Sequence, residues 1–427
     1  MTSPWEFNQV GQLSKVGNWI KKFPGPIRYA GPMLLTQLAF IPLLYSYLTF
    51  SYLESVGFNV PGLVATGATW VWSKLPFLPQ FGLLLKQVAS VLLELPVNAS
   101  NELVWKGVLQ TALPLLPVVY FFIILPILDI LIGRDRGGQK PAQRTEEDNG
   151  YRWVLWAFGL IYMCLLVMCA TTAAALPLLS VVTVGVGLGF YGAVLFAVAH
   201  ELLHSSSKAD RALSQSLLHC LCYPHYMHSH KRIHHARVAT PSDPSTARRG
   251  EGVYAFVYRS IVDNWRILQK METNAVTKAS WILGPLFIAE SFLILLGPKA
   301  LLIYLLSAAV AIINLEIVNY LEHYGLMRDQ LPNGRYDKVD KRHSWNADWL
   351  VTNCHIVNLQ LHGEHHIDSK RPYYKLENIE DGPQLPGPYP IMILLALFPP
   401  LFRRVMDPRL DVMDPRLDEM ERERLST

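Results

Sequence analysis

The chain has 427 residues, of which 51% are hydrophobic and only 17% charged, with a formal charge of +4. Soluble domains carry about 25% charged residues, so much of this surface faces lipid rather than water, and so small a net charge points to no nucleic-acid partner. The five cysteines (Cys164, Cys169, Cys220, Cys222 and Cys354) form no CxxC pair, which argues against a disulfide framework, a zinc ribbon or a built-in rubredoxin-type iron centre.

In chain order, residues 1–28 form a polar, basic lead with Lys15, Lys21, Lys22 and Arg28 and no signal-peptide pattern. An apolar run at 29–53 is long enough to span a ~30 Å hydrocarbon core. Residues 54–102, with Pro61, Pro76, Pro79, Pro96 and the sequon Asn98-Ala99-Ser100, read as an extracytoplasmic hairpin. A second span covers 108–133, and a loop rich in arginine follows at 134–152. Spans three and four cover 153–172 and 177–199 around Leu176-Pro177; Cys164 and Cys169 fall in this run as expected packing residues. Residues 200–279 are polar, expected to be helical, and contain eight histidines. Spans five and six cover 280–297 and 299–320, hinged at Gly297-Pro298, and residues 321–389 hold the remaining six histidines. The apolar stretch 390–402 is too short to cross and reads as interfacial or re-entrant. The tail repeats MDPRLD at 406–411 and 413–418 and is expected to be solvated and partly disordered.

The expected fold class is therefore an all-α integral membrane protein with six transmembrane helices. Its segments are a cytoplasmic lead at 1–28, spans one to four within 29–199, a cytoplasmic segment at 200–279, spans five and six within 280–320, a second cytoplasmic segment at 321–405 and a charged tail at 406–427. Lysine and arginine concentrate in the lead and the 134–152 loop, which puts the termini and every histidine on the cytoplasmic side.

Nine histidines fall in four clusters: His200 and His204 in HELLH; His230, His234 and His235; His323 in NYLEHYGL; and His362, His365 and His366 in LHGEHH. On an α-helix His230 and His234 point to one side, and His235 is turned toward a second centre. One metal ion takes about four to six ligands, so nine imidazoles imply two ions with open positions, and all-nitrogen ligation with open positions suits iron that meets O2. A zinc protease built on HELLH with Glu201 as base needs one or two further ligands rather than seven. The acids expected to accept the outer ring N–H of these histidines are Asp129, Glu201, Asp243, Glu322, Asp348 and Glu364. Asp129 is the sharpest of them because it lies inside an apolar span. His343 is expected near the metals; His219, His225, His228 and His355 are expected at the surface or behind the ligands. Cys220 and Cys222 are weak ligand candidates. Arg248, Arg249 and Glu251 read as a salt-bridged brace or docking surface, and Lys231, Arg232 and Arg237 join them as charges able to steer an acidic donor.

HELLH, HKRIHHARVATPSDPSTARRGE, NYLEHYGL and LQLHGEHH, with PILDILIG around Asp129 and PQLPGPYPIMILLALFPPLFRRVMDPR near the end, resemble the signature boxes of membrane-bound alkane 1-monooxygenases. That family lies within the histidine-box superfamily of fatty-acid desaturases and hydroxylases. The resemblance covers residues 108–410. It implies a six-helix membrane protein with two iron ions on the nine histidines. The implied reaction is hydroxylation of the terminal methyl of an alkane drawn from the bilayer, using O2 and two electrons from rubredoxin or a similar carrier served by a reductase. Departures from the family pattern fall at Ser205, Ser229, Ile233, Leu361 and Gly363-Glu364; none removes a histidine, though Ser205 and Leu361 remove positive charge. The competing readings are a fatty-acid or other lipid hydroxylase or desaturase with the same metals, and a membrane metal transporter or sensor.

Overall fold

The computed structural model describes residues 26–27, 29–30, 59, 61–66, 87–96, 99–135, 149–379 and 381–413. Nearly all of span one, most of the 54–102 hairpin with Asn98, loop residues 136–148 and the tail from 414 onward lie outside the described residues. The described residues form helices and turns, with isolated bridges but no strand.

In chain order α1 (Asn101–Ile132), α2 (Gly150–Ala175) and α3 (Leu178–His204) are followed by α4 (Lys208–Cys220), α5 (226–237) and α6 (Val253–Lys270). Next come α7 (Ala275–Leu296) and α8 (Pro298–His323), then α9 (Leu350–His355), α10 (His362–Ile367), α11 (Tyr389–Ala396) and α12 (Pro399–Met413). Among the described residues, α1, α2, α3, α7 and α8 are long and apolar enough to cross a membrane, and they occupy the places of predicted spans two to six. Their ends follow from local chemistry. Pro177 precedes α3, and α8 opens at Gly297, whose φ of 91° suits glycine, followed by Pro298 in the first helical position. Within α1, Pro114, Pro117 and Pro126 break the regular ladder, and the chain answers with a 3₁₀ turn at Leu113–Leu115 and a π turn at Tyr120–Ile124.

The buried helix α3 sits at the centre of the bundle, while α7 leaves Leu283, Phe287, Ile294 and Leu295 exposed on the outer face. Glycines let α3 approach its neighbours closely. A Cβ at Gly187 would stand 1.9 Å from the Pro114 carbonyl oxygen of α1, and one at Gly189 would stand 2.4 Å from Val310 Cβ of α8. Small residues of this kind set the spacing of helices in lipid, where no hydrophobic force draws them together. The consequence is functional: α3 and α8 run side by side and finish at the same end, on His204 and His323.

Three expectations change here. Residues 390–402 are not one segment: α11 stops at Ala396 and α12 starts at Pro399. The first MDPRLD repeat is not a solvated tail. Met406 and Leu410 are buried, Asp407 accepts from the Tyr324 hydroxyl at 2.8 Å, and Asp411 pairs with Arg249 at 2.6 Å. The apolar i, i+4 pair is the reason the repeat folds onto the bundle as a helix. Cys169 is buried as expected, but Cys164 is exposed on the outer side of its span.

Candidate metal centre

The four histidine clusters arrive from four directions. His200 and His204 end α3, His323 ends α8, and α5 and α10 carry the rest. They converge into two groups. His200, His204, His230, His235 and His365 form one, and His234, His323, His362 and His366 form the other, with the ligand-capable atoms of each group within 4.8 Å of one another. All nine expected residues are brought together.

The partition differs from the helical-wheel expectation. His230 and His235 share a group, with their Nε2 atoms 2.9 Å apart, and His234 belongs to the other. The cause is a π turn at His230–His234, in which the His235 amide donates to the His230 carbonyl. Closing the turn over five residues instead of four stacks residue i+5 above residue i.

Within the five-residue group the Nε2 atoms of His204, His230 and His235 form a triangle with sides of 3.1, 3.2 and 2.9 Å. A neutral ring nitrogen either carries a proton or offers a lone pair, so three in mutual contact cannot all pair as donor and acceptor. In the other group His234, His366, His362 and His323 follow one another at 3.2, 2.9 and 3.2 Å. Nitrogens bound at about 2.1 Å to one ion stand roughly 3.0–3.4 Å apart at right-angled or tetrahedral positions. The spacing therefore fits lone pairs converging on cations. Burial, reinforced by neighbouring imidazoles, holds His230, His362, His365 and His366 well below the ordinary histidine pKa and His235 at about 2. Neutral rings are what metal ligation needs.

Orientation comes from outside the groups. His234 Nδ1 donates to Asp243 at 2.9 Å, which leaves the Nε2 lone pair facing inward. The same carboxylate accepts from Thr246 at 2.7 Å and from the Ser245 amide at 3.1 Å. Burial alone pushes the Asp243 carboxyl up, but the His234 ring and the Thr246 hydroxyl bring it below its usual range. His323 Nδ1 lies 3.4 Å from the Ser344 hydroxyl, next to His343 in the chain. His343 is thus beside the site through this neighbour, while its side chain turns to Asp340 at 3.2 Å.

A cavity of about 40 Å³ adjoins both groups, reaching His200 of one and His362 of the other. Phe121, Val194, Phe196, Leu315, Val318 and Ile393 contribute apolar wall. It runs between α1, α3 and α8, inside the membrane-spanning bundle. Among the described residues, a separate polar cleft of about 740 Å³, lined by Arg152, Ser205, Asp210, Lys370 and Arg371, reaches His204. One side of the site is thus apolar and the other polar.

Comparison with known proteins decides the family. The fatty acid desaturase model matches residues 175–394. Alkane 1-monooxygenase 2 of Pseudomonas aeruginosa is 34% identical over 325 residues, covering 70% of this chain and 84% of its own. Alkane 1-monooxygenase 1 of the same organism is 35% identical over 319 residues, covering 69% and 82%. A hydroxylase component of a xylene/toluene monooxygenase of Pseudomonas putida is 30% identical over 235 residues, covering 51% and 61%. The chain belongs to the alkane 1-monooxygenase family, among the fatty acid desaturases. It is accordingly a membrane-bound monooxygenase with a histidine metal site.

For this monooxygenase the other expected acids do not sit behind imidazoles. Asp129, fully buried, accepts from the amides of Val351 and Thr352 at 2.9 and 3.1 Å and from the Thr352 hydroxyl, so it fastens the start of α9 to α1. Glu201 accepts from the Tyr373 amide at 3.1 Å. Asp348 holds Arg134 at 3.3 Å and Asn378 at 3.3 Å. Glu364 is engaged by Arg371 and the Glu377 amide. Glu322 is different again. It accepts from Tyr389 at 2.9 Å, and its other oxygen lies 3.3 Å from His362 Nε2, on the inner side of the ring and in the cavity wall. Cys222 donates to the Tyr304 hydroxyl and, like Cys220, lies outside both histidine groups. Glu251 is held by Arg259 and the Arg248 amide while Arg249 pairs with Asp411, so Arg248, Arg249 and Glu251 do not form the expected brace among themselves. Ser344, Tyr226 and Asn314 escaped sequence reasoning. Tyr226 stacks on His230 with ring centroids 5.1 Å apart and lines the cavity, and only the polar Asn314 within an apolar span gave a signal.

Proposed function

We propose that this monooxygenase hydroxylates the terminal methyl group of medium- to long-chain n-alkanes to primary alcohols, with two iron ions held by His200, His204, His230, His234, His235, His323, His362, His365 and His366. The overall reaction consumes an alkane, O2, two electrons and two protons and yields the alcohol and water. The observation that carries this reading is an apolar cavity ending on two converging sets of imidazole nitrogen. The names of the relatives support the substrate class.

Iron so held supplies O2 activation; the remaining work belongs to the chain. The cavity walls exclude water and present the end of an extended chain to His200 and His362. Asp243 fixes the tautomer of His234, and the Ser344 hydroxyl faces Nδ1 of His323. Electrons arrive from a rubredoxin-type donor on the polar side, where Arg152, Lys370 and Arg371 line the cleft that reaches His204. That side is the cytoplasmic face of the membrane by the positive-inside rule.

The same metals serve fatty-acid and other lipid hydroxylases or desaturases, and the matching family model bears that name. Mass spectrometry separates the readings. Purified, iron-loaded protein is reduced and given O2 with n-octane, n-hexadecane and a fatty acid. A primary alcohol from an alkane is expected; oxidation of the fatty acid alone would select the second reading.

A further inference from the structure

A line of aromatic rings leads away from the nine imidazoles. Tyr226 stacks on His230 with ring centroids 5.1 Å apart, and Tyr223 stacks on Tyr226 at 6.1 Å. His225 lies 4.4 Å beyond Tyr223, and Trp265 lies 5.2 Å beyond His225. Each step falls within the separation at which aromatic rings pack together. Tyr226, Tyr223 and His225 are buried, whereas Trp265 on α6 is half-buried, so the line runs from the metal site to the protein surface. Phenol and indole give up one electron more readily than imidazole does.

Tyr223 carries the second observation. A phenol that loses an electron becomes a strong acid, and a buried cation with no partner is costly. The Tyr223 hydroxyl donates to Glu316 Oε1 at 2.9 Å, and Asn319 donates to the other oxygen at 3.3 Å. Both oxygens accept, as in an ionised carboxylate. Glu316 is only 1% exposed and stands within the apolar span α8, where an acid calls for a reason beyond packing. It belongs to neither histidine group and has no part in the hydroxylation described above.

We propose that Tyr226, Tyr223, His225 and Trp265 form an electron-transfer chain that protects the metal site, with Glu316 as the proton acceptor of Tyr223. The assignment rests on the reading of the histidines as an iron site that activates O2. When O2 is reduced there and no alkane C–H bond is in reach, the oxidant formed from O2 takes one electron from Tyr223 by way of Tyr226. The Tyr223 O–H bond breaks, its proton passes to Glu316, and a neutral tyrosyl radical remains beside a neutral carboxylic acid. Trp265 then returns one electron to Tyr223 across His225, and Glu316 returns the proton. The indole, left one electron short, is reduced at the surface by a soluble one-electron donor such as a thiol or ascorbate. The imidazoles are thereby spared.

The test uses the iron-loaded protein in lipid nanodiscs, reduced with dithionite, freed of excess reductant, mixed with O2 in the absence of alkane and frozen at intervals. Electron paramagnetic resonance is expected to show an organic radical, and ring-deuterated tyrosine should change its hyperfine pattern. Tyr223→Phe should lose the tyrosyl signal. Glu316→Gln, which cannot take the proton, should lower it severalfold. Trp265→Phe, altered at a half-buried ring, should make the tyrosyl radical longer-lived. After repeated exposure to O2 without alkane, peptide mass spectrometry should find severalfold more oxidised histidine in Tyr223→Phe than in the wild type. If the wild type forms no organic radical, or if Trp265→Phe leaves the lifetime of the tyrosyl signal unchanged, the chain is wrong; alkane oxidation by the same preparation would leave the iron reading standing. If the wild type binds no iron and oxidises no alkane, both fall.

Discussion

The two groups of histidines differ in what holds them, and that difference is open to test. His234 is braced by a buried carboxylate with two further partners. Asp243→Ala removes the brace, frees the ring to change tautomer, and is expected to weaken metal binding by roughly 10–100-fold. Titration of metal-stripped protein with ferrous iron would show one weakened class of site; unchanged affinity would remove Asp243 from the account. The neutral rings also make a pH prediction. Because the folded-state pKa values of His230, His235, His362, His365 and His366 lie below the unfolded value of about 6.5, the unfolded chain binds more protons across that window. Stability of the metal-stripped protein should be full above about pH 6.5 and decline by roughly 1 kcal/mol or more per pH unit below it. Thermal unfolding followed from pH 7.5 down to pH 5 checks this, and a flat profile would contradict it.

At the level of elements, the five described spans were readable because each is a long run with few charges, a pattern that only lipid or a deep core explains. Which histidines converge was readable too, from the HxxxH and HxxHH spacings. Which histidines act together was not. The partition turns on the π turn at His230–His234, and a sequence does not show whether a turn closes over four residues or five. Asp129 teaches a related lesson. A carboxylate in an apolar span has to be paired, but the partner is the start of α9, contributed more than 200 residues later in the chain, and no local pattern announces it. Asp129→Ala should therefore lower stability by about 3 kcal/mol, through three hydrogen bonds lost from a buried carboxyl group. It should leave the metal content of the folded fraction unchanged, read by thermal unfolding and elemental analysis of the same preparation. Loss of metal without loss of stability would return Asp129 to the metal site.

Across the whole molecule, the arrangement is a bundle that is apolar along its length and polar at one end, with the histidines at the boundary. α3 and α8 pack through glycine along the span and end together on His204 and His323, so the closeness of two helices in lipid becomes the closeness of ligands at the surface. α5 and α10 close over those ends. The apolar cavity reaches the histidines from the bundle and the polar cleft reaches them from the other side. Everything rests on the nine imidazoles holding a pair of ions, and iron stoichiometry tests this most directly. Reconstituted wild-type protein should contain two iron atoms per chain by elemental analysis, and His365→Ala and His234→Ala, one from each group, should each retain about one. A wild-type value of one or fewer, or a single variant that loses nothing, would contradict the account.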